Sequence, residues 1–224
     1  MAAGADPNAK QAVLSAVGAT QIVARAEFRV FGHGIIDIVR TRMWAAHAVL
    51  QGVRSMPPET YLLSALSDAA NVKVRDGLLD IKLKTGTTPQ GYELFQPSGK
   101  FAFPIKREEL AGALSELKVS IDLTEETYSL ETVIAIARGC RGLVPVTVEK
   151  TRYGFLVDGV ICEYAEVWFN GALLESACCE SEDYTAVAKA VEVLELSAFE
   201  HVNYLEAAKR VVGMARRFGR DKPL

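Results

Sequence analysis

Hydrophobic and polar positions alternate along much of this chain. Residues 71–85 read NVKVRDGLLDIKLKT, with Val72 and Val74 alternating with Lys73 and Arg75. Past Asp76-Gly77, Ile81 and Leu83 alternate with Asp80, Lys82 and Lys84. Side chains on a strand point to opposite faces with period two, so this is a hairpin with one apolar and one charged face. Asp-Gly suits its tight turn. Residues 21–31 repeat the pattern: Arg25, Glu27 and Arg29 on one side, Ala24, Ala26, Phe28 and Val30 on the other. Residues 145–157, with Lys150 and Arg152 on one face, 160–169 and 172–182 form three successive strands, joined at Asp158-Gly159 and Asn170-Gly171. The third ends with Glu180 and Glu182 on one side. Shorter strands are predicted at 59–66, 92–95 (carrying Glu93), 100–105 and 118–123.

A period near 3.6 marks the helices. Ile35, Ile38, Val39, Met43, Ala46 and Leu50 predict a helix over 35–53, with Pro57-Pro58 closing it. Further helices are expected at 106–117, at 124–138 with acidic residues at its start, and at 184–196 and 203–217. Residues 1–19 read as an arm with a short helix near 10–17, residues 20–217 as one domain, and residues 218–224 as a basic tail.

The 224 residues are half hydrophobic, enough for a sizeable core, and carry a net charge of −3. That balance gives no global basic field to gather nucleic acid, so any cationic site is local. Cys140, Cys162, Cys178 and Cys179 form no C-x-x-C pair and there are three histidines, which argues against zinc. The cysteines read as small core thiols, and Trp44 and Trp168 as packing residues. No apolar run of about eighteen residues exists to span a bilayer, and the amino terminus lacks the pattern of a secretory signal. The expectation is a soluble cytoplasmic protein with no membrane or nucleic-acid partner, and a homodimer is compatible with it.

The charged faces together carry Arg25, Arg29, Lys73, Arg75, Lys82, Lys84, Lys150 and Arg152, with Glu27, Asp80, Glu93, Glu180 and Glu182. Glu163 or Glu166 would join them; three apart, they cannot both face inward from a regular strand. Each face alone reads as a solvated surface. Together, with few neutral polar residues between the charges, they suit a different task. A polyanion needs several Lys and Arg donors, and its magnesium or manganese needs carboxylate oxygens. The fold expected is α+β: a closed antiparallel barrel of about eight strands, charged inside, with helices packed outside.

That arrangement resembles the CYTH superfamily of triphosphate tunnel metalloenzymes, which includes class IV adenylate cyclases, thiamine triphosphatases and inorganic triphosphatases. Arg25-Ala26-Glu27-Phe28-Arg29 stands where the family has E-x-E-x-K. Glu59-Thr60-Tyr61-Leu62 is similar to its D-x-Y-F segment, Lys73-Val74-Arg75 to its R-x-R strand and Asp80-Ile81-Lys82 to its T-x-K strand. Lys150-Thr151-Arg152 matches its K-x-R strand, Glu180-Ser181-Glu182 its final E-x-E, and Asn203-Tyr204-Leu205 its closing segment. Each motif is short; their order over residues 21–213 supplies the specificity.

The resemblance implies metal-dependent hydrolysis of a triphosphate: inorganic, nucleoside or thiamine. Glu27, Glu93, Glu166, Glu180 and Glu182 would hold Mg²⁺ or Mn²⁺. Arg25, Arg29, Lys73, Arg75, Lys82, Lys84, Lys150 and Arg152 would clamp phosphate oxygens. Glu27, Lys82, Glu180 and Glu182 would carry the catalysis. Arg25 removes one family metal ligand, so the site holds one metal or none. The alternatives are a non-catalytic phosphate-ligand binder or sensor on the same fold, and a class IV-type adenylate cyclase.

Overall fold

The structure, a computed structural model, describes residues 24–214. The amino-terminal arm, the basic tail and the ends of the first strand and last helix predicted above lie outside the described residues. Eight strands close into an antiparallel barrel in the order β1-β10-β9-β8-β2-β3-β4-β5. They are β1 (Arg25–Gly32), β2 (Val49–Ser64), β3 (Ala70–Arg75), β4 (Leu78–Thr87), β5 (Glu93–Ala102), β8 (Leu143–Val157), β9 (Val160–Phe169) and β10 (Ala172–Ser181). A two-stranded ribbon, β6 (Ile105–Lys106) and β7 (Thr127–Tyr128), lies apart. Five α-helices among the described residues complete the fold: α1 (Ile35–Ala45), α2 (Arg107–Glu116), α3 (Leu130–Gly139), α4 (Tyr184–Val193) and α5 (Tyr204–Val211). None is long and apolar enough to cross a membrane.

The three X-Gly turns behave as their chemistry demands. Asp76, Asp158 and Asn170 have φ of 52°, 48° and 48°, and the glycines after them 72°, 81° and 84°. Two successive positive φ values match the right-handed twist of a hairpin, and glycine tolerates the second without steric cost.

The outer faces of the strands form two apolar layers. Ala26, Phe28, Val30, Cys162, Ala177 and Cys179 pack with Ile35 and Val39 of α1 and Val187 and Val191 of α4. Val72, Val74, Leu79 and Ile81 pack with Leu110 and Leu114 of α2 and Val133 and Ala137 of α3. The apolar parity of the first hairpin is therefore its outside. Its charged parity faces the barrel interior.

Several expected boundaries are corrected. The helix over 35–53 stops at Ala45, and β2 begins at Val49. Pro57-Pro58 does not separate two elements. It sits inside β2 where the register with β8 shifts between Met56/Glu59, and a bulge is one of the few places a strand accepts proline. The strands at 92–95 and 100–105 are one, β5, with residues 105–106 set apart. Residues 118–123 form no strand, although Val119, Ile121 and Leu123 pack against the α2–α3 layer. Helix α3 starts at Leu130, because the Ser129 side chain accepts from Thr132 N and caps it. Trp44 is not a packing residue; it is 91% exposed at the end of α1.

Candidate anion-binding lumen

Residues directly opposite in an antiparallel pair share a face, so the registers fix what meets inside the barrel. One end of the interior is apolar. Phe31, Tyr61, Leu63, Val146, Val148, Ala165, Val167, Phe169 and Leu174 surround Leu205, Ala207 and Ala208 of α5, which plugs that end. The other end is a cavity of about 180 Å³. Its lining includes seven basic side chains, Arg25, Arg29, Lys73, Arg75, Lys82, Lys150 and Arg152, and four acidic ones, Glu27, Glu59, Glu93 and Glu180.

These charges are mostly paired. Glu59, almost wholly buried, takes Lys150 Nζ at 2.7 Å and Lys73 Nζ at 3.1 Å. Burial pushes its carboxyl pKa up, but Lys150 and Lys73 outweigh that and hold it below the usual value. Burial, reinforced by Lys73, drives Lys150 down to about 8 even though Glu59 opposes the shift. Arg29 donates to Glu27 at 2.6 Å and to Ser176 at 3.1 Å, and lies 3.4 Å from Glu163, which also holds Arg152. Arg75 approaches Asp80 at 2.9 Å and Glu59 at 3.9 Å. Lys84 meets Glu93 at 2.6 Å, and Asn203 donates to the other oxygen of that carboxylate at 2.6 Å. Arg25 spans Glu180 at 3.5 Å and Glu182 at 3.7 Å. Among the described residues, Lys82 has no ion-pair partner within 4 Å.

An aromatic layer divides the charged end from the apolar one. The Tyr204 ring carries the Arg29 guanidinium and the Lys150 ammonium, each 4.6 Å from its centroid. The Tyr61 ring lies 5.1 Å from Lys73 Nζ. Such faces accept cations through their negative π-clouds.

Of the residues expected from sequence, Arg25, Glu27, Arg29, Lys73, Arg75, Lys82, Glu93, Lys150, Arg152 and Glu180 line the cavity. Lys84 stands beside it through Glu93, and Glu182 stands beside it through Arg25. Glu166 is a correction. It pairs with Thr151 and Glu175 on the opposite parity, so it faces outward and Glu163 takes the inward place. Asp80, counted from sequence among the charges of the inner faces, is buried there against Arg75. Glu59, Tyr61, Asn203 and Tyr204 fall in the motifs matched to the resembling family, but the sequence reading gives them no role in the site. Glu59 was legible in one respect, since it alternates with Tyr61 and Leu63, but no parity in sequence says which face is inside.

Magnesium and manganese ask for several oxygen donors gathered on one point. In the lumen the carboxylates that could do so are engaged by bases. Glu27 lies directly across from both Glu180 and Glu93, so these three carboxylates form one row on β10, β1 and β5, while Glu59 and Glu163 stand on β2 and β9; each of the five holds a basic side chain. Among the described residues no three acidic, histidine or cysteine side chains come together in a metal-binding group. As the side chains stand, Arg25, Arg29 and Lys84 occupy the Glu180–Glu27–Glu93 row where a divalent metal would need its oxygens.

What the fold defines is a closed eight-stranded antiparallel barrel with a charged lumen, the architecture that the resemblance implied. No protein-family model matches the chain, and no curated protein does. Solved structures that align with it include the PH1012 protein of Pyrococcus horikoshii, 15% identical, covering 80% of this chain and 98% of that one, with a TM-score of 0.46. Another is HpAC1 from Hippeastrum, an adenylyl cyclase candidate for which a dominant triphosphatase activity is described. It is 12% identical and covers 85% of this chain and 95% of that one, with a TM-score of 0.47. A conserved hypothetical protein from Pyrococcus furiosus is 12% identical over 81% of this chain and 98% of its own, with a TM-score of 0.45.

Proposed function

We propose that the lumen binds a small polyphosphate-type anion and that binding does not require a metal ion. One observation carries the reading: seven basic and four acidic side chains line the cavity of a chain whose net charge is −3. Even with Asp80 and Glu163, which hold Arg75, Arg29 and Arg152 from behind the lining, bases outnumber acids there, against the sign of the whole molecule. Ammonium and guanidinium groups are the donors that phosphate oxygens take best, and a guanidinium retains spare N–H groups after one ion pair. Among the described residues Lys82 makes no ion pair within 4 Å and acts on Glu27 only at longer range. Arg75 and Arg152 remain partly open, with side chains 29% and 39% exposed. The anion competes with Glu59 for Lys73 and Lys150, and Tyr61 and Tyr204 close the lumen behind them.

The binder reading is preferred over hydrolysis because the carboxylates are occupied as counterions. Arg25 also stands where the resembling family has an acid. Calorimetric titration with inorganic triphosphate in the presence of chelator tests it, alongside phosphate release with Mg²⁺ or Mn²⁺. The expected result is binding in chelator that weakens as salt rises, with no release. Binding and release that both demand the metal would overturn it in favour of a metal-dependent triphosphatase. Absence of binding under either condition would overturn both.

A further inference from the structure

The lumen face does not end at the cavity. Along β8 it continues as Lys150, Arg152, Gly154 and Leu156, two residues apart and therefore on one side. Across from Gly154 stand Gly52 of β2 and Glu163 of β9. Across from Leu156 stand Val49 and Ile161. Arg54 sits opposite Arg152. The result is a shelf at the mouth, floored by two glycines and carrying three aliphatic side chains, with β10 continuing the sheet beyond β9 and placing Cys178 across from Glu163 and Glu180 across from Ile161. A second cavity of about 360 Å³ lies on it and shares Arg152 with the first. Val49 and Ile161 are 58% and 45% exposed, large for aliphatic groups on a strand.

Gly154 has no local reason to be glycine. Its φ is not positive, and a Cβ built on it meets nothing nearer than Gly52 O at 3.9 Å. Glycine in an interior strand position costs about 0.5–1 kcal/mol relative to alanine. The register of β2 shifts between Leu50 and Gly52, which accounts for the glycine on that strand; on β8, where neither backbone angle nor packing requires it, Gly154 leaves room for close approach by another molecule. From Arg152 to Leu156 the shelf runs ~13 Å, at ~3.3 Å per residue.

Resting on the anion-binding reading above, we infer that the ligand is a phosphate ester whose apolar organic group lies on the Gly52–Gly154 floor between Val49, Leu156 and Ile161. Its phosphates enter the lumen through Arg152, which borders both spaces. The charge of the lumen and the continuity of the two cavities select this amphiphilic occupant over a separate protein partner. A bare inorganic polyphosphate leaves the shelf bare and the aliphatic groups wet.

The test is calorimetric comparison of geranyl diphosphate with inorganic diphosphate, in wild type and in Gly154→Val. The expected result is at least about tenfold tighter binding of the ester, with the advantage lost in Gly154→Val while inorganic diphosphate binds as before. Ile161→Ser, at a half-exposed position, repeats the comparison if the valine variant does not fold. Equal affinities in wild type would overturn the shelf and leave the lumen reading standing. An advantage that survives both substitutions would overturn it by locating the organic group elsewhere. Failure of both ligands to bind would remove the lumen reading as well.

Discussion

The two ends of the barrel interior are built from the same strands and obey opposite chemistry. Strand β8 runs Val146, Val148, Lys150, Arg152 along its inner face, and β2 runs Leu63, Tyr61, Glu59. On β1 the order is Phe31, Arg29, Glu27, Arg25. Each strand passes from aliphatic to ionic at one level, where Tyr61 and Tyr204 lie. The closed end is held by contacts that need only shape and exclusion of water. The ionic end is held by charges whose desolvation cost is met only while partners are present. In the proposed reading those partners exchange for ligand oxygens, with the ionic end as the binding site and the apolar end as its floor.

The sharpest way to break this comparison is to damage each end equally and ask how the damage responds to an anion. Phe169→Ala at the closed end is expected to lower stability by about 3–5 kcal/mol in urea unfolding, unchanged by inorganic triphosphate. Glu59→Gln is expected to cost a comparable ~3–5 kcal/mol, since it strands two buried ammonium groups. Saturating triphosphate should recover part of that loss. If Glu59→Gln unfolds identically with and without the anion, Lys73 and Lys150 do not meet ligand and the comparison fails.

Lys82→Ala separates binding from stability at the ionic end. With no ion pair to lose, it should leave the melting temperature close to wild type and weaken triphosphate roughly tenfold, ~1.4 kcal/mol. A large fall in melting temperature with unchanged affinity would be the contrary outcome.

Lys150 links the site to pH. Its unfolded value is 10.5 and its folded value about 8, so between these limits the unfolded chain holds the extra proton. Stability from this group therefore rises with pH through that window, and the penalty of charging it is complete below 8. Glu59, held below 4.5, contributes stability above that value and loses it on acidification through its folded pKa. Anion affinity runs the other way from the lysine term. It should fall a few-fold from pH 7 to 9, with proton uptake on binding measurable in buffers of different ionisation heat. A flat profile would mean Lys150 does not contact the anion.

The smallest effect is expected at the rim. Arg25 is half exposed, so Arg25→Glu should change stability by under about 1 kcal/mol. It would, however, replace the base that now spans Glu180 and Glu182 by a further acid beside them and Glu27. Mn²⁺ titration of that variant should show binding that wild type lacks; no gain would mean the rim carboxylates cannot close on a metal even when the arginine is gone.

Much of this architecture was legible in the chain. Period-two alternation located most of the barrel strands, and Asp76-Gly77, Asp158-Gly159 and Asn170-Gly171 located the hairpins, because both depend on neighbours in sequence. Pro57-Pro58 misled for a non-local reason: β2 has β8 alongside it throughout that stretch, and a bulge there absorbs two prolines that would end an unpartnered helix. Residues 118–123 misled in the reverse sense, alternating as a strand does but finding no strand to pair with.

By itself the sequence determined that each strand has a charged and an apolar face, and that lysines, arginines and glutamates recur on the charged ones. Only the tertiary structure decided that those faces turn inward, that Glu163 rather than Glu166 joins them, and that Glu59 stands between two lysines. The reason is closure. Pairing β1 with both β10 and β5 encloses one face of every strand at once, and which acid meets which base then follows from registers between residues as far apart as Glu59 and Lys150.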